Sequence, residues 1–99
     1  PKDGYTLLLG TVANTINTTL APQNRFDFAR DFAPVTPLVV LSNILVVHPD
    51  TGVKSVGELI ALAKSKPDSL SFASSGVGTS PHLSGELFNQ MAGVKLVHV

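Results

Sequence analysis

Leu70-Ser71-Phe72-Ala73-Ser74-Ser75-Gly76-Val77-Gly78-Thr79-Ser80-Pro81-His82 is the stretch on which the fold turns. Leu70 to Ser74 reads as a strand, and two glycines one residue apart then supply a tight turn. Ser80 suits an N-cap, and Pro81 suits the first helical position, where an N–H would have no partner anyway. The helix runs from Pro81 to Ala92, with Leu83, Leu87, Phe88 and Met91 on one face and Gly93 as its left-handed cap.

Outward from this stretch the same alternation continues. Val94 to Val99 is strand-like. On the upstream side, Ser55-Val56-Gly57-Glu58 is a capping box. An apolar stripe of Val56, Leu59, Ile60 and Ala63 follows it. Lys64 and Lys66 suit the negative end of that helix, and Pro67 stops it. Val35 to His48 is apolar and β-branched but broken by Pro37 and by Ser42-Asn43. Two strands meeting at Ser42-Asn43 fit better than one unusually long strand, and that polar break is a candidate hinge between domains. Pro37 belongs at a strand start or an edge.

The first third is less regular. Pro1-Lys2-Asp3-Gly4 is a turn, and Tyr5 to Leu9 reads as a buried strand. Thr11 to Leu20 forms a short helix on Val12, Ile16 and Leu20, weakened by its threonines and asparagines. Ala21 to Ala33 is irregular, with Pro22, and uses Phe26, Phe28 and Phe32 as packing pegs. The second half has the order β-α-β-α-β, which requires parallel pairing and right-handed crossovers. The fold class is therefore α/β. The strands at both ends lack flanking elements, so the chain reads as a fragment, with any secretion signal upstream.

Composition narrows the function classes. The 99 residues are 43% hydrophobic and only 14% charged, against a usual charged share of about 25%. Strands buried on both faces account for such depletion, and disorder does not. Seven basic and seven acidic residues cancel, which leaves no basic stripe for nucleic acid. The absence of cysteine removes disulfides, thiolate catalysis and zinc-thiolate sites. His48, His82 and His98 are scattered, without the carboxylate or cysteine pattern of a metal site. No apolar run reaches the roughly 18 residues of a membrane span.

The chemistry lies in the glycine turn, at a strand's carboxyl end and a helix's amino end, where α/β sheets bind ligands. Amides near Thr79, Ser80 and His82 point outward with the positive helix end behind them. That arrangement holds an anion without lysine or arginine. A dinucleotide fingerprint would need glycine at Pro81, and no Gly-Lys-Thr/Ser follows for a P-loop. Gly78-Thr79-Ser80-Pro81-His82 puts histidine where a nucleophile elbow has glycine. Ser80 and His82 are two residues apart, so their side chains do not face each other on a helix. No catalytic residue and no cofactor site is assigned. Three readings stay open: a carboxylate receptor, a fragment of an α/β enzyme whose glycine loop binds a phosphate or cofactor, and a structural βαβ piece.

The order of several landmarks resembles one family. They are Asp3-Gly4-Tyr5-Thr6-Leu7-Leu8, Arg30-Asp31-Phe32-Ala33-Pro34-Val35 and Val46-Val47-His48-Pro49. Ser55-Val56-Gly57-Glu58-Leu59-Ile60, the glycine loop into Ser80-Pro81-His82-Leu83, Gly85-Glu86-Leu87-Phe88 and Val97-His98-Val99 continue the series. Across nearly the whole chain these resemble the substrate-binding proteins of tripartite tricarboxylate transporters, the Bug-type receptors.

The resemblance implies a type II periplasmic binding fold, with parallel sheets flanked by helices in two lobes that close on the ligand by hinge bending. Residues 1–42 would belong to the first domain and 43–99 to the second. It implies a periplasmic protein that is not an enzyme, captures a small organic acid (a di- or tricarboxylate, amino acid or aromatic acid) and hands it to membrane subunits. The implied ligand-binding residues are Ser75, Gly76, Val77, Gly78, Thr79, Ser80 and His82 of the second-domain loop. Thr11, Val12 and Asn14 of a segment lining the cleft join them. Where the family often has an Asn-Pro turn and a Tyr-Asp pair, this chain has Asn17-Thr18 and Phe26-Asp27, which keeps the packing but loses a hydroxyl. Exposed strand edges at Tyr5 to Leu9 and Val94 to Val99 invite self-association.

Overall fold

A computed structural model describes residues 3–21, 23 and 25–99. Pro1, Lys2 and Pro22, on which parts of the expected turn and connection rest, lie outside the described residues, as does Asn24. The chain forms two compact units, Pro1–Thr36 and Pro37–Val99.

In the first unit, helix α1 spans Val12–Leu20, close to its expected bounds. Its threonines do not disrupt it, because Thr15 and Thr18 turn their hydroxyls back onto the Val12 and Asn14 carbonyls at 2.7 and 3.1 Å. That is the local side-chain bonding that lets such residues sit inside a helix. A second short helix, α2, spans Phe28–Asp31 within the stretch expected to be irregular. Asp27 nucleates it: Oδ1 accepts from the Ala29 and Arg30 amides at 2.9 and 3.1 Å, and Asp31 Oδ2 accepts from the Asp27 amide at 2.8 Å. This reciprocal cap satisfies donors that a helix start otherwise leaves unpaired.

The three phenylalanines do pack on one another. Phe26 and Phe28 lie 5.6 and 5.3 Å from Phe32, ring centre to ring centre. Phe28 also closes over Gly10, where an added Cβ would fall 2.5 Å from its ring. The strand expected at Tyr5 to Leu9 is absent; this segment belongs to no ladder among the described residues. Tyr5 is 93% exposed. Apolar, β-prone residues favour an extended backbone, but only a partner strand turns it into a sheet.

The second unit holds helix α3 at Val56–Ser65, strand β1 at Ser71–Phe72, helix α4 at Ser80–Ala92 and strand β2 at Val97–His98. A single 3-10 turn at Pro49–Thr51 precedes them. The cap of α3 follows expectation at Ser55, whose hydroxyl accepts from the Glu58 amide at 3.2 Å. Glu58 reaches one residue further back than a standard box, accepting from the Lys54 amide at 2.7 Å. Among the described residues Leu59 and Ala63 are the buried apolar side chains, at 6% and 3% exposure, while Val56 at the start of the stripe is exposed. An open apolar groove beside them is lined by Leu45, Val47, Val53, Val56 and Leu59.

Strands β1 and β2 pair in parallel, with Ser71 opposite Val97 and Phe72 opposite His98. The Val97 and Val99 amides donate to the Leu70 and Phe72 carbonyls at 2.9 and 3.0 Å. Parallel pairing across α4 is thus as expected, although both strands are shorter than read from sequence. The two strands expected within Val35 to His48 are a correction. That segment is exposed and joins no ladder among the described residues.

Helix α4 requires a second correction. The face on the sheet is built on the row His82, Gly85, Asn89; of the expected stripe, Leu83, Leu87 and Met91 are exposed and Phe88 is half-buried. His82 lies against His98, with ring centres 4.5 Å apart. A Cβ at Gly85 would collide with the Phe72 ring. Asn89 exchanges two 3.0 Å hydrogen bonds with the backbone of Leu96. A glycine in mid-helix allows the strand this close, and two polar side chains at the next turns lock the register.

Candidate functional site

The loop between β1 and α4 makes a double left-handed turn. Gly76 and Gly78 have φ of +132° and +78°, a region that side chains with a Cβ rarely enter. Both glycines expected to make the turn therefore do so, and Gly78 is buried.

Neighbouring side chains hold this turn at each end. The Ser74 hydroxyl accepts from the Gly76 amide at 3.1 Å and lies 3.2 Å from the Gly76 carbonyl. That carbonyl also accepts from the Thr79 hydroxyl at 2.6 Å and from the Thr79 amide at 3.3 Å. At the other end the Gly78 amide donates to His82 Nδ1 at 3.3 Å. As an acceptor at Nδ1, neutral His82 carries its proton on Nε2, which lies 3.9 Å from Glu86 Oε1. His98 reaches in from β2, with Nε2 2.8 Å from the Ser74 hydroxyl and its ring stacked near Phe72 at 4.9 Å.

The start of α4 differs from the expected cap. Thr79, not Ser80, is the N-cap, and it makes no side-chain cap hydrogen bond. Ser80 is already helical, with Pro81 behind it. Ser80 is occupied elsewhere: the Asn43 side-chain amide donates to the hydroxyls of Ser80 and Ser84 at 2.7 and 2.8 Å. Of the amides expected to point outward, that of Thr79 is spent on Gly76. Those of Ser80 and His82 have no acceptor among the described residues. Two N–H groups at the positive end of a 13-residue helix are what an anion needs.

Thr11, Val12 and Asn14 lie at the start of α1 in the first unit. Asn14 Oδ1 accepts from the Thr11 amide at 2.7 Å and from its hydroxyl at 3.1 Å. Among the described residues no cluster of histidines and carboxylates suits a metal ion, and no helix is long and apolar enough to cross a membrane.

Sequence reasoning missed Asn43 and His98 as parts of this site. In the sequence Asn43 is part of a polar break and His98 one of three scattered histidines; both act over more than 20 positions of sequence, a reach that no local pattern signals.

A glycine turn leading from a parallel strand to an uncapped helix start defines a class, the α/β modules in which a strand's carboxyl end runs directly into a helix's amino end. All 99 residues match the model of the tripartite tricarboxylate transporter family receptor, and the chain belongs to that family. A UPF0065 protein from the tcbD-tcbE intergenic region of Pseudomonas sp. strain P51 is 36% identical over 99 residues. That match covers 100% of this chain and 30% of the relative. A UPF0065 protein of Bordetella pertussis is 35% identical over 98% of this chain and 30% of its own length. Protein BugT of Bordetella pertussis is 31% identical over 95% of this chain and 29% of its own length. The chain spans about 30% of the length of the curated relatives it matches.

Proposed function

We propose that this chain is part of a periplasmic solute receptor that captures a small organic carboxylate and delivers it to the membrane subunits of a tripartite transporter. Residues 1–42 contribute to one lobe and 43–99 to the other. The contacts come from Ser75 to Ser80 together with the His82 amide in one lobe, and from Thr11, Val12 and Asn14 in the other. The reaction is capture and release, with no covalent step.

One observation carries the reading: the amides of Ser80 and His82 stay unspent at the head of α4, beside a turn that Gly76 and Gly78 alone can make. A carboxylate there gains charge-assisted hydrogen bonds. Neutral donors also let it leave again, since no buried countercharge has to be left unpaired. Family membership supports the same reading.

The test is thermal unfolding of the intact receptor with citrate, succinate, glutamate or benzoate, and with ATP as a control. A ligand at a hundred times its Kd stabilises by about 2.7 kcal/mol, so at least one carboxylate should raise Tm. Stabilisation by ATP and by no carboxylate would refute the receptor reading and favour a phosphate site.

A further inference from the structure

We propose that the imidazole of His82 is a positioning residue that braces the glycine turn and does not itself contact the solute. This rests on the receptor reading above and assigns the side chain a different task from the backbone amide of the same residue. His82 stands at the third position of α4, and helical side chains lean back toward the N-terminus. Its ring is therefore carried over the turn that precedes the helix. Nδ1 there accepts from the Gly78 amide at 3.3 Å. Gly78 is buried at φ +78°, and a buried N–H without an acceptor is costly. The imidazole nitrogen is the acceptor this turn needs.

The ring is not open for other work. The His82 side chain is only 16% exposed, with His98 against it at 4.5 Å. His98 in turn places Nε2 2.8 Å from the Ser74 hydroxyl, and Ser74 holds the Gly76 end of the turn. A continuous brace thus runs from Gly78 through His82 and His98 to Ser74 and Gly76. It ties both ends of the loop to strand β2. The consequence is that the Ser80 and His82 amides are preorganised before a solute arrives, which removes part of the ordering cost of binding.

The experiment compares His82→Asn with His82→Gln in the intact receptor. Asparagine places its amide oxygen where Nδ1 stood, and glutamine places it nearer the Nε2 position. Two readouts are taken: Kd for citrate by calorimetry, and hydrogen exchange of the Gly78 amide in protein labelled with 15N-glycine. Removing one such hydrogen bond should change each by about tenfold. His82→Gln should show the faster exchange and weaker binding, and His82→Asn should restore both nearly to the parent level. Equal behaviour of the two variants in Gly78 exchange would overturn the proposal. If the parent binds none of citrate, succinate, glutamate and benzoate, the receptor reading fails, yet the exchange series still decides the brace. If exchange follows the expected order but citrate affinity is the same in both variants, the imidazole is structural only and the positioning role is lost.

Discussion

Two helix starts in this molecule solve the same problem in opposite ways. At α1 the cap is self-contained: Thr11 and Asn14, three residues apart, bond each other at 2.7 and 3.1 Å, and the Asn14 amide closes onto the Thr11 carbonyl at 3.0 Å. At α4 the N-cap Thr79 turns its hydroxyl backward to Gly76 and leaves the helix uncapped. What holds that start in place comes from distant parts of the second unit, Asn43 on one face and His98 on the other. A helix start sealed by its own residues spends part of its hydrogen-bonding capacity locally. One held from outside keeps its donors unspent. That difference, more than the presence of glycines, sets the start of α4 apart from that of α1.

The largest effect that tests this contrast is expected from Gly78→Val. A β-branched residue at φ +78° should cost on the order of 1–3 kcal/mol of stability. The intact receptor should lose carboxylate binding altogether. Calorimetry showing parental affinity would mean that the turn does not shape the site. Gly85→Ala comes next. Its Cβ meets the Phe72 ring, and overpacking of this kind costs about 1–3 kcal/mol. A double variant with Phe72→Leu should recover much of that loss in denaturant unfolding; strict additivity would show that the two residues do not touch.

Smaller effects separate the two helix starts. Asn43→Ala removes both donors to Ser80 and Ser84 and should destabilise by about 1 kcal/mol. It should also weaken binding, because α4 is then held from one side only. Thr11→Ala should cost a similar amount, about 1 kcal/mol, as for a typical lost cap, with no change in hydrogen exchange at Gly78. Faster Gly78 exchange in that variant would erase the distinction between a self-sealed and an externally held helix start. Ser80→Ala no longer tests a cap, since Thr79 occupies that position. Its stability change should be smaller than that of Asn43→Ala, because one of the two Asn43 bonds survives, and unfolding midpoints compare the two directly.

Local order was readable from the residues themselves. Val12–Leu20, Val56–Ser65 and Ser80–Ala92 follow from apolar spacing, Ser55 and the proline and glycine stops, because helix hydrogen bonds close within four residues. The two glycines of the turn and the parallel pairing across α4 followed from the same local grammar. Tertiary structure decided which face of α4 meets the sheet: Phe72 closes on Gly85, while Leu83, Leu87 and Met91 of the expected stripe stay exposed and Phe88 is half-buried. It decided as well that apolar segments such as Tyr5 to Leu9 join no ladder among the described residues, because strand pairing depends on a neighbour that composition does not name. The brace from His82 through His98 to Ser74 and the Asn43 link exist only because the fold brings distant positions together. Hydrogen bonds of that range leave no trace in a local pattern.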